Sequence, residues 1–161
     1  MTAISGQSWL LSLHLLAAFA IVGAITLSTI AFIAARRLDD ARPARALSRV
    51  MALGSVAFGV GAVGTIVFGL WLTFTVTGYS ITQAWIIAAI VLWVAIAALS
   101  GRATGAYWRS TRPLADGVTE PGQTGDGGLA AYRSPLLLGF DVAAAAAAIA
   151  MLAVMIWKPG V

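Results

Sequence analysis

Very few side chains in this sequence could do chemistry inside its apolar runs. His14 is the only histidine, and it sits in the first run. A neutral imidazole there could bind a proton or a metal; paired with a thioether such as that of Met155 it is a known haem-iron ligand pair, and both atoms also suit copper. Asp141 is the only carboxylate inside an apolar run. A charge at that depth costs about 2.5–3.5 kcal/mol on insertion scales, so it should be paired or should serve a proton or ion path. There is no cysteine, which excludes disulfides, thiolate metal sites and cysteine nucleophiles. One histidine leaves no material for a His-rich metal cluster, and no catalytic constellation is visible.

The elements that must position these residues are long and apolar. The chain is 60% hydrophobic and 10% charged over 161 residues, where soluble domains carry roughly 25% charged residues. Four runs are each long enough to cross the ~30 Å hydrocarbon layer as a helix. They cover about 8–35, 50–77, 81–100 and 136–157, and the expected fold is an all-α transmembrane four-helix bundle, up-down-up-down, in one membrane domain. The first run lacks the basic start and short apolar core of a secretory signal, so it is expected to be retained as a span. Ala57, Gly61, Thr65 and Gly69 recur every fourth residue along the second run, a small-residue stripe for helix packing that would make this span central to the bundle. The short turn Gly78-Tyr79-Ser80 makes the second and third spans antiparallel neighbours. In the fourth, Ala143 to Ala148 offers another close-packing surface.

Nine of the ten basic residues fall in two connections, 36–49 and 101–135. The positive-inside bias makes both connections cytoplasmic and both termini external, in a bacterial inner membrane crossed several times. That placement fits topology better than polyanion binding, so nucleic acid is not an expected partner. Pro43 can sit in the first turn of a short interfacial helix before the second span. The glycine-, aspartate- and proline-rich middle of 101–135 reads as a flexible loop, with Tyr107 and Trp108 anchoring its start at the bilayer surface.

Depth follows from ~1.5 Å of rise per residue. His14 lies ~12 Å to the outer side of its span's middle and Asp141 ~8 Å to the inner side, a separation of ~20 Å that excludes an ion pair between them. Trp71, Gln83, Trp85 and Met155 share the outer half with His14, which makes His14, Met155 and Trp71 the candidate cofactor contacts. The partners expected for Asp141 are the inner-side arginines Arg36, Arg37, Arg49 or Arg133.

Leu13-His14-Leu15-Leu16, Gly69-Leu70-Trp71 and the closing Met155-Ile156-Trp157-Lys158-Pro159 resemble a family of small bacterial four-span membrane proteins of unknown function. That family looks distantly similar to the membrane domain of copper-resistance protein D and to the HemJ-type protoporphyrinogen oxidase. The resemblance implies that His14 is the residue most involved in function. In the oxidase branch the matching histidine is associated with haem and works with an intramembrane lysine; this chain has no lysine in any span. The expected function is a structural or accessory bundle that associates with itself as a homo-oligomer or with a partner in a membrane complex. The alternatives are haem b or copper-linked binding at His14, and proton or ion transport through Asp141.

Overall fold

A computed structural model describes residues 6–37, 41–76, 80–115 and 134–158. Four helices make up the bundle: α1 (Gly6–Ala35), α2 (Ala41–Thr75), α3 (Ala84–Ala115) and α4 (Pro135–Trp157), with no strand among the described residues. Each contains a stretch long and apolar enough to span a membrane: Ser8–Ala34, Arg49–Thr75, Ala84–Gly105 and Pro135–Trp157. Helices are the form such runs take because lipid offers no partner for backbone N–H and C=O groups, which must be satisfied within the segment. Several hydroxyls inside the spans are satisfied the same way, while Thr65 Oγ1 and Ser100 Oγ are buried without a partner in the protein. Ser12 donates to the Ser8 carbonyl at 2.9 Å, Thr26 to Val22 at 2.8 Å and Thr73 to Gly69 at 2.9 Å.

Two helices run further than the apolar runs alone suggest. The backbone of the expected 36–49 loop is already helical from Ala41, so the short interfacial helix is the first part of α2. Likewise α3 does not stop at Ser100 but continues to Ala115, well into the segment read as a loop. A helix that has satisfied its own backbone in lipid loses nothing by continuing into the interface, and the sequence from Gly101 to Thr111 contains no proline to stop it. The side chains of Tyr107 and Trp108, the rest of the 116–133 segment with Arg133, and the Gly78-Tyr79 turn lie outside the described residues.

Packing gives an order around the bundle of α2, α1, α4, α3. Close approaches join α1 to α2, α1 to α4 and α3 to α4. The second span is therefore an edge helix with α1 as its close neighbour, and α1 and α4 hold the centre. The shortest connection, 36–40, joins α1 to α2; α2 and α3 lack a comparable close approach along their lengths. Phe58 and Ala62 of α2 and Trp93 of α3 pack onto the main apolar cluster of Ile21, Ile25, Ala89, Ile96, Ala144, Ala148 and Met151. A smaller cluster of Ala31, Phe32, Met51 and Leu137 lies nearer the arginine-rich end.

On α4 the inward face is Leu137, Asp141, Ala144, Ala148 and Met151, a run of alternating four- and three-residue steps. Of the six consecutive alanines, Ala144 and Ala148 are therefore buried while Ala143 and Ala146 are exposed. Residues such as Phe19, Leu53 and Ile149 remain about 70% exposed, which suits a lipid-facing surface. At the opposite end from the arginines, α4 closes with a left-handed Lys158 whose N–H donates to the Val154 carbonyl at 2.9 Å. Its Nζ stands 5.6 Å from the centre of the Trp85 ring, and Trp85 Nε1 donates to Gln83 Oε1 at 3.1 Å.

Candidate functional site

The two buried ionisable side chains among the described residues lie on different faces of α1's neighbourhood. His14 is buried, with Nδ1 3.1 Å from the backbone carbonyl of Thr65 on α2. Since a carbonyl only accepts, Nδ1 carries a hydrogen and donates it. The ring fits because position 69 is glycine: a Cβ there would come within 2.9 Å of His14 Cε1 and 3.2 Å of Nδ1. About two helical turns away, a Cβ at Gly61 would lie 2.8 Å from the Ala17 carbonyl oxygen and 3.0 Å from Ile21. Gly61, Thr65 and Gly69 of the stripe thus face α1 of the same chain. Gly64, whose Cβ would sit 3.0 Å from the Cβ of Ala17, belongs to this contact too, although the every-fourth-residue pattern passes over it.

Of the other expected outer-half residues, Met155 packs onto the main cluster, and His14 bonds α2. Trp71 is half exposed.

Asp141 is 3% exposed and sits between α4 and α1. Its partners among the described residues are hydroxyls rather than Arg36, Arg37 or Arg49; Arg133 lies outside the described residues. Ser28 Oγ lies 2.6 Å from Oδ1, and Thr29 Oγ1 bonds Oδ2. Arg36, Arg37 and Arg49 are exposed at the nearby end of the bundle, and no ion pair to Asp141 is present among the described residues. The physical reason is reach and cost: an arginine drawn down to Asp141 would lose its hydration, while two hydroxyls are already at that depth on α1. Both hydroxyls also lie 2.9 Å from the carbonyl oxygen of Ile25. Each therefore has a choice of acceptor.

That choice gives the site its chemistry. When Asp141 is ionised, Ser28 and Thr29 both donate to it. When it is protonated, it donates to one of them, and that hydroxyl turns its own hydrogen to the Ile25 carbonyl. Both states are satisfied by rotating hydroxyl hydrogens, without moving a heavy atom.

A cavity of about 30 Å³ adjoins the carboxylate. Its polar lining comes from four helices: Ser28, Ser55, Ser100, Thr104 and Asp141. Ser55 donates to the Met51 carbonyl at 2.8 Å. Ser100 is 8% exposed, and its Oγ has no hydrogen-bond partner in the protein. An unsatisfied buried hydroxyl costs about 1–3 kcal/mol, so something in this cavity should bind it. Among the described residues no group of three or more His, Cys, Asp or Glu could hold a metal ion.

Ser28, Thr29, Ser55, Ser100 and Thr104 did not stand out in the sequence. Level counting would have found the first two: Ser28 lies about 10 Å to the inner side of the first span's middle, close to the level of Asp141.

The comparisons with known proteins agree with this architecture. The family described as "Predicted integral membrane protein (DUF2269)" matches residues 8–159, and the chain belongs to that family. It is an integral membrane protein crossing the bilayer four times. Neither the curated proteins nor the solved structures yielded a match.

Proposed function

We propose that this bundle binds and releases a proton at Asp141 and so serves proton or ion movement across the membrane. The observation that carries the reading is the hydroxyl pair: Ser28 and Thr29 contact both carboxylate oxygens and share the Ile25 carbonyl as a second acceptor. A purely structural clamp needs one satisfied state; this arrangement satisfies two. Among the residues whose side chains are described, the arginines at that end are Arg36 and Arg37 after α1, Arg49 on α2 and Arg102 on α3, all exposed. By the positive-inside bias that end faces the cytoplasm of a bacterial inner membrane, with both termini outside. The test is proton flux into liposomes carrying a pH dye. Flux should be lost in Asp141→Asn, a near-isosteric change, and flux indifferent to it would remove the reading.

A second reading rests on His14. Its Nδ1 bond to the Thr65 carbonyl leaves Nε2 free as a ligand, the usual support for a metal-bound imidazole. The resemblance to copper-resistance protein D and HemJ-type proteins points to the same residue. Purified protein would then show a Soret band that His14→Ala abolishes; a colourless, iron-free sample after expression with ample haem would sink it. Self-association through the α2 stripe is not favoured, because Gly61, Thr65 and Gly69 already face α1.

A further inference from the structure

We propose that the Asp141 cavity holds water and is the inner end of a one-sided path, running along Ser100 and Thr104 of α3 to the arginine-rich end. The inference rests on the proton reading above and supplies its route. Three observations converge on it.

First, the cavity is polar and incompletely satisfied. Ser100 Oγ is buried without a partner and lines the same space as Asp141. At about 10–15 Å³ per water, the volume admits two or three waters against a lining that includes the oxygens of Ser28, Ser55, Ser100, Thr104 and Asp141. Water gives Ser100 its missing partner and links it to the carboxylate.

Second, the apolar packing at this end leaves out α3. The smaller cluster that would seal the site toward the arginines is built from Ala31 and Phe32 of α1, Met51 of α2 and Leu137 of α4. What α3 contributes at this level is Ser100, Ala103 and Thr104, two of them hydroxyls one turn apart. Thr104 is only half buried, and α2, the helix across from it, does not approach α3 closely. The seam between α2 and α3 is therefore where polar groups step outward, toward exposed Arg49 and Arg102.

Third, the other direction is closed. Between Asp141 and His14 lies the main cluster, in which Ile21, Ile96, Ala144, Ala148 and Met151 are all at most 5% exposed. No hydroxyl of that cluster bridges the two levels. Asp141 exchanges protons with one face only in this conformation.

The absence of native cysteine makes a direct test clean. Single variants Ser100→Cys, Thr104→Cys and Ala148→Cys in the full chain are exposed, in right-side-out and inside-out vesicles, to a membrane-impermeant sulfonated methanethiosulfonate. Arg36→Cys reports which side is the arginine-rich one. The expected pattern is modification of Thr104→Cys and Ser100→Cys from the side that modifies Arg36→Cys, and none of Ala148→Cys from either side. Labelling of Ser100→Cys from the opposite side, or only by a lipid-soluble maleimide, overturns the path. Because a cysteine could disturb packing, deuterium exchange of the Asp141 carboxyl, read by its infrared band, is compared with Ser100→Val. Exchange should slow at least tenfold, and an unchanged rate overturns the role of Ser100. Either failure leaves proton flux dependent on Asp141 intact, whereas flux indifferent to Asp141→Asn removes the proton reading and leaves the labelling pattern standing.

Discussion

His14 and Asp141 are both buried polar side chains held at a face of α1, and they are held in opposite ways. About 21 Å of helix separates His14 from Ser28, the α1 residue that meets Asp141. His14 bonds a backbone carbonyl, which cannot rotate away, and its ring lies against a glycine that leaves it no slack. Asp141 bonds two hydroxyls that can each change acceptor, beside a cavity. The first arrangement fixes one tautomer and one ring position. The second tolerates a change of charge. Close packing and adaptable hydrogen bonding are thus divided between the α1–α2 and α1–α4 faces of one helix.

The contrast is broken most severely at Gly61. A leucine there would drive its side chain into the Ala17 carbonyl and Ile21, both parts of a packed interface that cannot give. We expect a loss of about 3 kcal/mol or more, beyond the usual range for an overpacked core. It would be read as a large fall in melting temperature and exposure of the α1–α2 face to proteolysis in detergent. Gly59→Ala is the control, since a Cβ at Gly59 meets nothing within 4 Å. Replacing a helical glycine with alanine should leave stability unchanged or raise it by up to about 1 kcal/mol. Equal behaviour of the two variants would show that α2 does not rest on α1 through this stripe.

On the other face, Ser28→Ala combined with Thr29→Val removes both donors from Asp141. Each lost partner of a buried carboxylate should cost about 1–3 kcal/mol. Steric unfolding in SDS or urea would measure it. The same double change in an Asp141→Leu background should cost far less, because the group left unsatisfied is gone. A similar cost in both backgrounds would mean that the hydroxyls act on α1 alone, through the Ile25 carbonyl.

How much of this comparison was legible in the sequence depends on what a residue count can encode. The four spans and the distance between His14 and Asp141 follow from length and rise, and the structure has four such helices with the two residues on different partners. Rotation about each helix axis does not follow. α1 is apolar on every side, so nothing in its pattern says that Ser28 and Thr29 turn toward α4 or that His14 turns toward α2. For the same reason a small-residue stripe showed that α2 packs closely on something without showing on what. The edge position of α2 and the loose seam against α3 are properties of four helices together. For Asp141, charge points to an arginine, whereas depth points to the hydroxyls of Ser28 and Thr29 at the same level, which are the groups that meet it.

A smaller effect is expected at Gly69, where alanine would bring a Cβ within 2.9 Å of the His14 ring. A side chain can yield where a backbone carbonyl cannot, so the ring should swing aside and lose its bond to Thr65. The expected cost is about 1 kcal/mol, the net worth of one hydrogen bond. The sharper readout is the His14 Nδ1–H signal in nitrogen-edited NMR, which should be resolved and slow to exchange in the wild type and lost in Gly69→Ala. Retention of that signal would mean that the imidazole is held by something other than the space Gly69 provides.

The smallest effect lies at the end of the bundle away from both sites. Lys158 closes α4 and stands over Trp85 at the start of α3. Lys158→Met keeps the length and apolar stem but removes the charge above the ring. A half-exposed cation–π contact is worth about 0.5–1 kcal/mol, and the α3–α4 contact continues along the helices beyond it. Melting should therefore shift by no more than a few degrees, with proton flux unaltered. A loss of flux in this variant would couple the Trp85 end to Asp141 through α4, and the apolar cluster could then no longer be treated as a passive seal.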